Sequence, residues 1–393
     1  MTKNTKFQLG NVLTVAFSHL VHDIYTAFLA PILPILIKTM GISYFQAGAL
    51  DFVRKAPSLF NPYIGIIADK ISLRYFLIIA PTITAIAMSF VGLASSYTVI
   101  VILIFIVGIS NALFHVPAAP IIKRVSGDKI GLGMSFFQVG GELARTLGPL
   151  IVLGAVSLWT IKGTWRLIPF GLVASFILFL RLQKIKSLKR MPRHQEADAR
   201  KTIVKLLPFF VALGGIILFR AAMKAALTIY LPTYLTQQGN SLWLAGISLS
   251  VLQLSGAAGT FLGGILSDKW GRKRLLLLIS ILNPILMTLF VISKGIWRFP
   301  VLVITGINLF GSAPILLALV QKQSHRHSSF LNGIYMTLNF VLGSIIIMAV
   351  GLVGDKIGLQ FTYRIAAFLS IGTIPFSIML MKHKNHLTGV KDG

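Results

Sequence analysis

Long apolar runs separated by short polar stretches dominate the pattern along the chain. A run of roughly 18 or more mostly apolar residues is long enough to cross a hydrocarbon core about 30 Å thick as a helix. The pattern therefore predicts an all-α membrane protein with twelve transmembrane helices. The predicted helices begin near Asn11, Ala47, Tyr75, Tyr97, Gly131, Gly163, Val204, Trp243, Leu275, Arg298, Leu331 and Phe361.

The composition agrees with that interpretation. Among the 393 residues, 55% are hydrophobic and only 12% are charged, with a mean hydropathy of +0.82, whereas soluble domains carry about 25% charge. The first apolar run follows Lys3 and Lys6, as a cleaved signal peptide would, but it is too long and contains histidines and an aspartate. We interpret it as a retained helix.

The net charge of +27 would suggest a nucleic-acid partner in a soluble protein. Here the distribution of the positive charge along the chain excludes a nucleic-acid partner. With both termini in the cytoplasm, most of the 37 arginines and lysines fall in cytoplasmic segments, which is the positive-inside pattern. We expect a multi-pass protein of a bacterial inner membrane, in contact with the lipid bilayer. The chain has no cysteine, so it has neither disulfides nor thiolate chemistry.

An internal repeat organises the chain into two halves. The basic stretch 181–205 predicts an N-terminal six-helix bundle at 1–182, a cytoplasmic linker at 183–203 and a C-terminal bundle at 204–393. Residues 33–48 and 231–246 share Leu-Pro and Ala-Gly pairs at an offset of 198, and such a constant register indicates duplication. Pro34 and Pro232 match at the same offset, which predicts related helix bends.

A short charged segment, called the hinge below, occurs once in each half. The sequence GILSDKWGRK begins at Gly264 and a near copy, GIIADKISLR, begins at Gly65. The complete copy resembles the loop signature of the major facilitator superfamily, in which two halves rock around a central site to give alternating access. The resemblance implies a cytoplasmic gate, although solvated loops would also carry the cations. Its residues are Gly65, Asp69, Lys70, Arg74, Gly264, Asp268, Lys269, Gly271, Arg272 and Lys273.

Two stretches, SHLVHD at 18–23 and the segment 114–150, resemble the fosmidomycin-resistance type of exporter. That resemblance implies efflux of small solutes, often driven by proton entry, with substrates that vary widely. The chain departs from the pattern because Val116 separates His115 from Pro117, and because Glu142 and Arg145 stand where amide or small residues are expected.

Ionisable residues inside the predicted helices are candidate coupling groups, since a charge at the bilayer centre costs roughly 2.5–3.5 kcal/mol. His19, His22 and Asp23 share a helix face, and a carboxyl group buried there could take up a proton at neutral pH. Together with Glu142 they are our predicted proton-coupling residues. In the alternatives, Asp23 is a hydrogen-bond anchor, His22 bonds a neighbouring carbonyl, and Glu142 forms a structural bridge to Arg145.

Interior cations outnumber interior acids. The cations are Arg54, Lys55, Arg145, Arg220 and Lys224, and the acids are Asp23, Asp51 and Glu142. This excess favours an anionic or zwitterionic substrate, because a desolvated arginine suits carboxylate or phosphate. The predicted substrate-binding residues are Arg145, Arg220, Lys224, His115, Asp51 and Arg54. The excess disappears if the lysines snorkel to the interface, and His115 could instead pack at the Pro117 kink.

Glycines at 140, 141 and 148 predict close helix approach in the fifth helix. No H-E-x-x-H, G-x-S-x-G or phosphate-loop motif occurs, so we expect neither an enzyme nor an ATP-driven pump. We expect no metal or other cofactor. The favoured function is proton-coupled export of a small organic anion or amphiphile by a monomer. The alternatives are a proton symporter importing an anionic nutrient or metal chelate, and a receptor or scaffold.

Overall fold

The computed structural model describes residues 7–60, 73–182, 199–323 and 328–382, and these residues contain helices and no strand. Fourteen α-helices occur in the described residues. They are α1 (Leu9–Thr26), α2 (Leu29–Met40), α3 (Tyr44–Lys55), α4 (Leu73–Phe90), α5 (Tyr97–Val125), α6 (Ile130–Trp159), α7 (Ile168–Leu182), α8 (Ala199–Ala225), α9 (Leu231–Gln237), α10 (Leu242–Trp270), α11 (Arg272–Ile292), α12 (Arg298–Lys322), α13 (Ser328–Ser370) and α14 (Thr373–Lys382).

Eleven segments of the described residues are long and apolar enough to cross a membrane. Each begins within three residues of one of the predicted starts. The remaining predicted helix, expected near Ala47, begins as α3 at Tyr44 and then runs towards residues 61–72, which lie outside the described residues. The predicted all-α membrane fold is confirmed, and the chain is a multi-pass membrane protein.

Contacts divide the chain into two compact units. The first comprises Met1–Ile42, Leu50–Pro192 and Leu235–Ser250, and the second comprises Ser43–Ala49, Arg193–Tyr234 and Val251–Gly393. The first has an apolar core from α1, α4, α5, α6 and α7, and the second has one from α8, α11, α12, α13 and α14. The domain boundaries predicted above remain a prediction, and 183–198 lies outside the described residues.

Two of the membrane spans are interrupted. The first breaks between α1 and α2, and Pro34 lies inside α2. The span that begins in α8 passes through a π-helical segment, Ala226–Tyr230, before α9, whose second residue is Pro232. Proline removes one backbone donor, and a π-turn changes the helical register. Both interruptions therefore fall close to the predicted proline pair.

Glycines on α6 bring this helix against α1. A Cβ atom on Gly140 would lie 2.4 Å from the carbonyl oxygen of Ala16, and one on Gly148 would lie 2.6 Å from the Cβ atom of Ala27. No real side chain tolerates such distances. The predicted close helix approach is confirmed, and it places the ionisable face of α1 beside α6.

Candidate functional site

Three ionisable side chains meet between α1, α5 and α6. His19 and Asp23 are one turn apart on α1, and their Nε2 and Oδ2 atoms are separated by 3.1 Å. His115 of α5 places its Nε2 atom 3.3 Å from the other carboxylate oxygen, Oδ1. The side chain of Asp23 is 13% exposed and that of His115 is 35% exposed. This cluster of His19, Asp23 and His115, called the coupling cluster below, is therefore least covered by the rest of the protein at His115.

The backbone of α6 determines which ring nitrogen of His19 always carries a proton. Its Nδ1 atom lies 2.7 Å from the carbonyl oxygen of Phe137, and a carbonyl only accepts, so Nδ1 carries a proton. A neutral ring then presents a lone pair at Nε2 towards the carboxylate of Asp23. That contact is a hydrogen bond only when a second proton lies between the two groups. In this geometry the contact between His19 and Asp23 therefore requires one additional proton.

The ring of His19 has little freedom to move. It stacks on Phe137 with ring centroids 3.9 Å apart and on Phe114 at 5.8 Å. The bare Cα of Gly141 faces it, since a Cβ atom there would lie 2.6 Å from Cε1 of His19. The donor atoms of His19, Asp23 and His115 lie within 4.8 Å of one another, and within the described residues this is the group that could share a metal ion.

His22 has a different environment from His19. It is fully buried, and its Nδ1 atom lies 3.2 Å from the hydroxyl of Thr84. Thr84 donates its proton to Ser110, which in turn donates to the carbonyl of Ala80. His22 Nδ1 is therefore the donor in its contact with Thr84. The partner of His22 Nδ1 is thus a hydroxyl and not the neighbouring carbonyl expected in the alternative, and a coupling role for His22 stays a prediction.

Glu142 and Arg145 pair on α6 with 2.8 Å between Oε1 and Nη2. Their side chains are 25% and 40% exposed, so the rest of the protein covers this ion pair only in part. The local bridge expected from their spacing is present. Whether Glu142 also exchanges a proton stays a prediction.

Arg220 is a buried cation of the second unit. It is 5% exposed, and its Nη1 atom donates to the hydroxyl of Ser312 and to the carbonyl oxygen of Leu309 at 3.3 Å. No carboxylate of the described residues forms an ion pair with it. One turn later on α8, Lys224 lies over the ring of Phe310, 6.0 Å from its centroid. A buried guanidinium held by neutral groups can accept an anionic partner.

On α3, the predicted substrate residues Asp51 and Arg54 form ion pairs together with Lys55. Asp51 is fully buried and contacts both Arg54 and Lys55 at 2.5 Å. The local pairing expected from the spacing is present. Since the acid is already shared between two cations, this trio contributes less to an anion site than Arg220 does.

The second copy of the predicted gate lies where α10 passes into α11. Gly271 has a φ angle of +88°, which allows the sharp break between the helices. Arg272 Nη2 lies 3.2 Å from Asp268 Oδ1, and Arg272 Nη1 lies 3.5 Å from the carbonyl oxygen of Ala318. Of the predicted gate residues, Gly264 and Lys269 lie in the last turns of α10, and Lys273 lies at the start of α11.

The first copy of the gate falls largely outside the described residues. Gly65, Asp69 and Lys70 lie there, and Arg74 lies in the first turn of α4. Sequence reasoning placed His115 among the substrate residues and did not connect it with Asp23. The two residues are on different helices, so no spacing rule joined them.

The Major Facilitator Superfamily sequence family matches residues 15–348. The fosmidomycin resistance protein of Escherichia coli is 26% identical, with 98% of this chain and 96% of that protein covered. The multi-drug resistance efflux pump PmrA of Streptococcus pneumoniae is 23% identical, with 94% and 92% covered.

Among solved structures, a bacterial homolog of the human lysosomal transporter Spinster has the same fold. It gives a TM-score of 0.74 at 17% sequence identity, with 95% of each chain covered. The family match spans most of the chain, and the aligned relatives span nearly all of it. The chain is therefore a transporter and not an enzyme, and it belongs to the major facilitator superfamily.

Proposed function

We propose that the protein is a proton-coupled exporter that exchanges external protons for a small organic anion or amphiphile by alternating access. We place it in a bacterial inner membrane, as a monomer with both termini in the cytoplasm. The proton gradient supplies the energy, so no bound cofactor is required. The observation that carries proton coupling is the 3.1 Å contact between His19 and Asp23, in which His19 already donates through Nδ1 to Phe137.

The coupling cluster can exist in two charge states. With the additional proton, His19 and Asp23 share a hydrogen bond; without it, two acceptor atoms face each other at 3.1 Å. The deprotonated state is electrostatically unfavourable in this geometry, so loss of the proton weakens the contacts of Asp23 with His19 on α1 and with His115 on α5. Such a difference between two states is what couples ion movement to a conformational change. His115, which is the more exposed member of the cluster, is the route by which a proton reaches Asp23.

Export is supported by the named relatives, which include a fosmidomycin resistance protein and a multi-drug resistance efflux pump. An anionic substrate is supported by Arg220, which donates to a hydroxyl and to a carbonyl oxygen. The remaining guanidinium donors suit a planar carboxylate or a phosphonate bidentately. Arg145 and Lys224 add positive charge on α6 and α8 and are proposed as secondary contacts.

The test is proton flux in liposomes that contain the purified protein and a pH dye. A panel of carboxylates, phosphonates, hydrophobic cations and neutral drugs is offered to wild type, Asp23→Asn and Glu142→Gln. Asp128→Asn is the matched control, because it removes an exposed carboxylate in the turn between α5 and α6. All variants are first checked for a monodisperse profile in detergent.

The proposal expects protons and an anion to move in opposite directions in wild type and in Asp128→Asn, and this exchange to be lost in Asp23→Asn. Flux of both in the same direction would make the protein a symporter. A response to cations alone would overturn the anionic substrate. Unchanged exchange in both Asp23→Asn and Glu142→Gln would overturn the coupling mechanism.

A further inference from the structure

The start of α3 is capped by its own residues only in part. Ser43 Oγ accepts a hydrogen bond from the backbone N–H of Gln46 at 3.2 Å, and Gln46 Oε1 accepts one from the N–H of Ser43 at 2.8 Å. This reciprocal pair is a capping box. The N–H of Ala47 bonds the carbonyl of Ser43 as the first helical bond. The N–H groups of Tyr44 and Phe45 have no acceptor within the helix, as expected for its first turn.

A carboxylate from a distant part of the chain completes the cap. The N–H of Tyr44 donates to Asp355 Oδ1 at 2.6 Å, and the N–H of Phe45 donates to Asp355 Oδ2 at 2.9 Å. Asp355 lies on α13, three residues before the kink at Gly358. Both carboxylate oxygens are used, and a negative charge at a helix N-terminus also interacts favourably with the helix dipole.

Backbone packing around this cap leaves no room for a methyl group. A Cβ atom on Gly351 would lie 2.4 Å from the carbonyl oxygen of Tyr44, and one on Gly48 would lie 2.4 Å from the hydroxyl oxygen of Tyr230. That hydroxyl lies 2.9 Å from the carbonyl oxygen of Tyr44 and 3.0 Å from that of Ile347. That hydroxyl has one proton for two acceptors, so it donates to one of the two carbonyls at a time.

The segment Ser43–Ala49 belongs to the second compact unit, whereas the residues on either side of it in sequence, up to Ile42 and from Leu50, belong to the first. The first turn of α3 therefore has its contacts in the second unit, although α3 continues without a break to Lys55. Asp355 is exposed, and exposed charged contacts can break and re-form at small net cost because water replaces the lost partner. The predicted topology places this junction on the external side of the membrane.

We propose that Asp355 is a releasable latch, whose carboxylate holds the first turn of α3 in the conformation described here and releases it once in each transport cycle. The latch rests on the proposed function, since a transport cycle is what would require its release. It adds to that function an external contact that neither the repeated hinge nor the coupling cluster contains.

Hydrogen exchange and thiol labelling test the latch separately. Exchange is followed by mass spectrometry over residues 41–50 in wild type, Asp355→Ala, Asp355→Asn and Ser43→Ala. The amides of Tyr44 and Phe45 should exchange at least tenfold faster in Asp355→Ala and to an intermediate extent in Asp355→Asn, whose amide retains one acceptor oxygen. Ser43→Ala is the matched control, because it removes the acceptor of the Gln46 N–H and leaves both bonds to Asp355 in place.

Labelling uses Ala47→Cys, which introduces the sole thiol into a cysteine-free chain at a fully buried position of the same segment. A membrane-impermeant maleimide should label it at least tenfold faster when Asp355→Ala is added, and at the original rate when Ser43→Ala is added. Unchanged exchange at Tyr44 and Phe45 would overturn the cap. If exchange at Tyr44 and Phe45 is faster but labelling of Ala47→Cys is unchanged, Asp355 caps the helix without holding the segment in place. That outcome would overturn the latch. Neither readout requires proton flux, so failure of the proposed coupling would be recognised independently in the liposome experiment.

Discussion

Replacing Gly141 by alanine tests whether the position of His19 controls proton coupling. The new Cβ atom would lie 2.6 Å from Cε1 and 3.0 Å from Nε2 of His19, whereas ordinary contacts begin near 3.4 Å. The ring must therefore move by about 0.8 Å, the difference between the first and last of these distances. Its stacking on Phe137 and its bond to that residue's carbonyl oppose the movement. Overpacking of this kind costs about 1–3 kcal/mol.

Gly154→Ala is the matched control, because it lies on the same helix, α6, and a Cβ atom there meets nothing within 4 Å. Both substitutions gain the same helix propensity, about 0.5–1 kcal/mol, so the difference between them isolates the contact with His19. We expect Gly141→Ala to be less stable than Gly154→Ala by about 1–3 kcal/mol. Because the displaced ring no longer holds Nε2 in its place against Asp23, proton-coupled flux should fall at least about fivefold, the factor that corresponds to weakening this contact by about 1 kcal/mol.

The measurements are thermal unfolding in detergent and proton flux in liposomes, made on both variants and on wild type. Wild-type flux and stability in Gly141→Ala would refute the reasoning, because the ring would then have moved without consequence. A loss of stability with normal flux would show that His19 is packed tightly but is not a coupling group.

Three further substitutions test separate parts of the site. Arg220→Lys should raise the half-saturating anion concentration in the flux assay at least tenfold, because an ammonium lacks the planar fork of donors. The control Arg166→Lys, at an exposed arginine, should leave that concentration unchanged. Equal effects of the two substitutions would exclude Arg220 from the anion site. Asp51→Asn leaves two cations facing a neutral side chain and should cost on the order of 3 kcal/mol in detergent unfolding experiments, so an unchanged unfolding midpoint would contradict the buried ion-pair assignment. Asp268→Asn removes an ion pair whose acid is 69% exposed, so stability should change by less than about 1 kcal/mol while transport slows several-fold; normal transport would remove Asp268 from the gate.

Hydropathy predicted the positions of the membrane helices because every backbone polar group in lipid must be satisfied within a helix. The start of α3 was predicted near Ala47 and is observed at Tyr44. The difference arises because the capping box of Ser43 and Gln46 begins the helix before the apolar run does. The π-helical segment Ala226–Tyr230 was not predicted, since its residues are as apolar as those of the surrounding helix.

Contacts within one helix were predictable from spacing alone. The ion pair of Glu142 with Arg145, and the contact of His19 with Asp23, follow from the 3.6-residue period of a helix. The approach of His115 to Asp23 was not predictable, because it depends on how α5 packs against α1. Asp355 was also missed. Its partners are backbone N–H groups, and these leave no mark in the sequence.

The π-helical segment between α8 and α9 has a consequence for tolerance to insertions and deletions. A π-turn accommodates one residue more than an α-turn of the same span. Deleting one residue within Ala226–Tyr230 can therefore restore a continuous α-helix, whereas a deletion elsewhere in α8 would change the register of an already regular helix. Arg220 would then keep nearly its present orientation relative to Tyr230, whereas a deletion between Arg220 and Ala225 would rotate it by about 100°. The π-helical segment is thus the part of this span in which a one-residue deletion would least change the neighbours of the buried arginine.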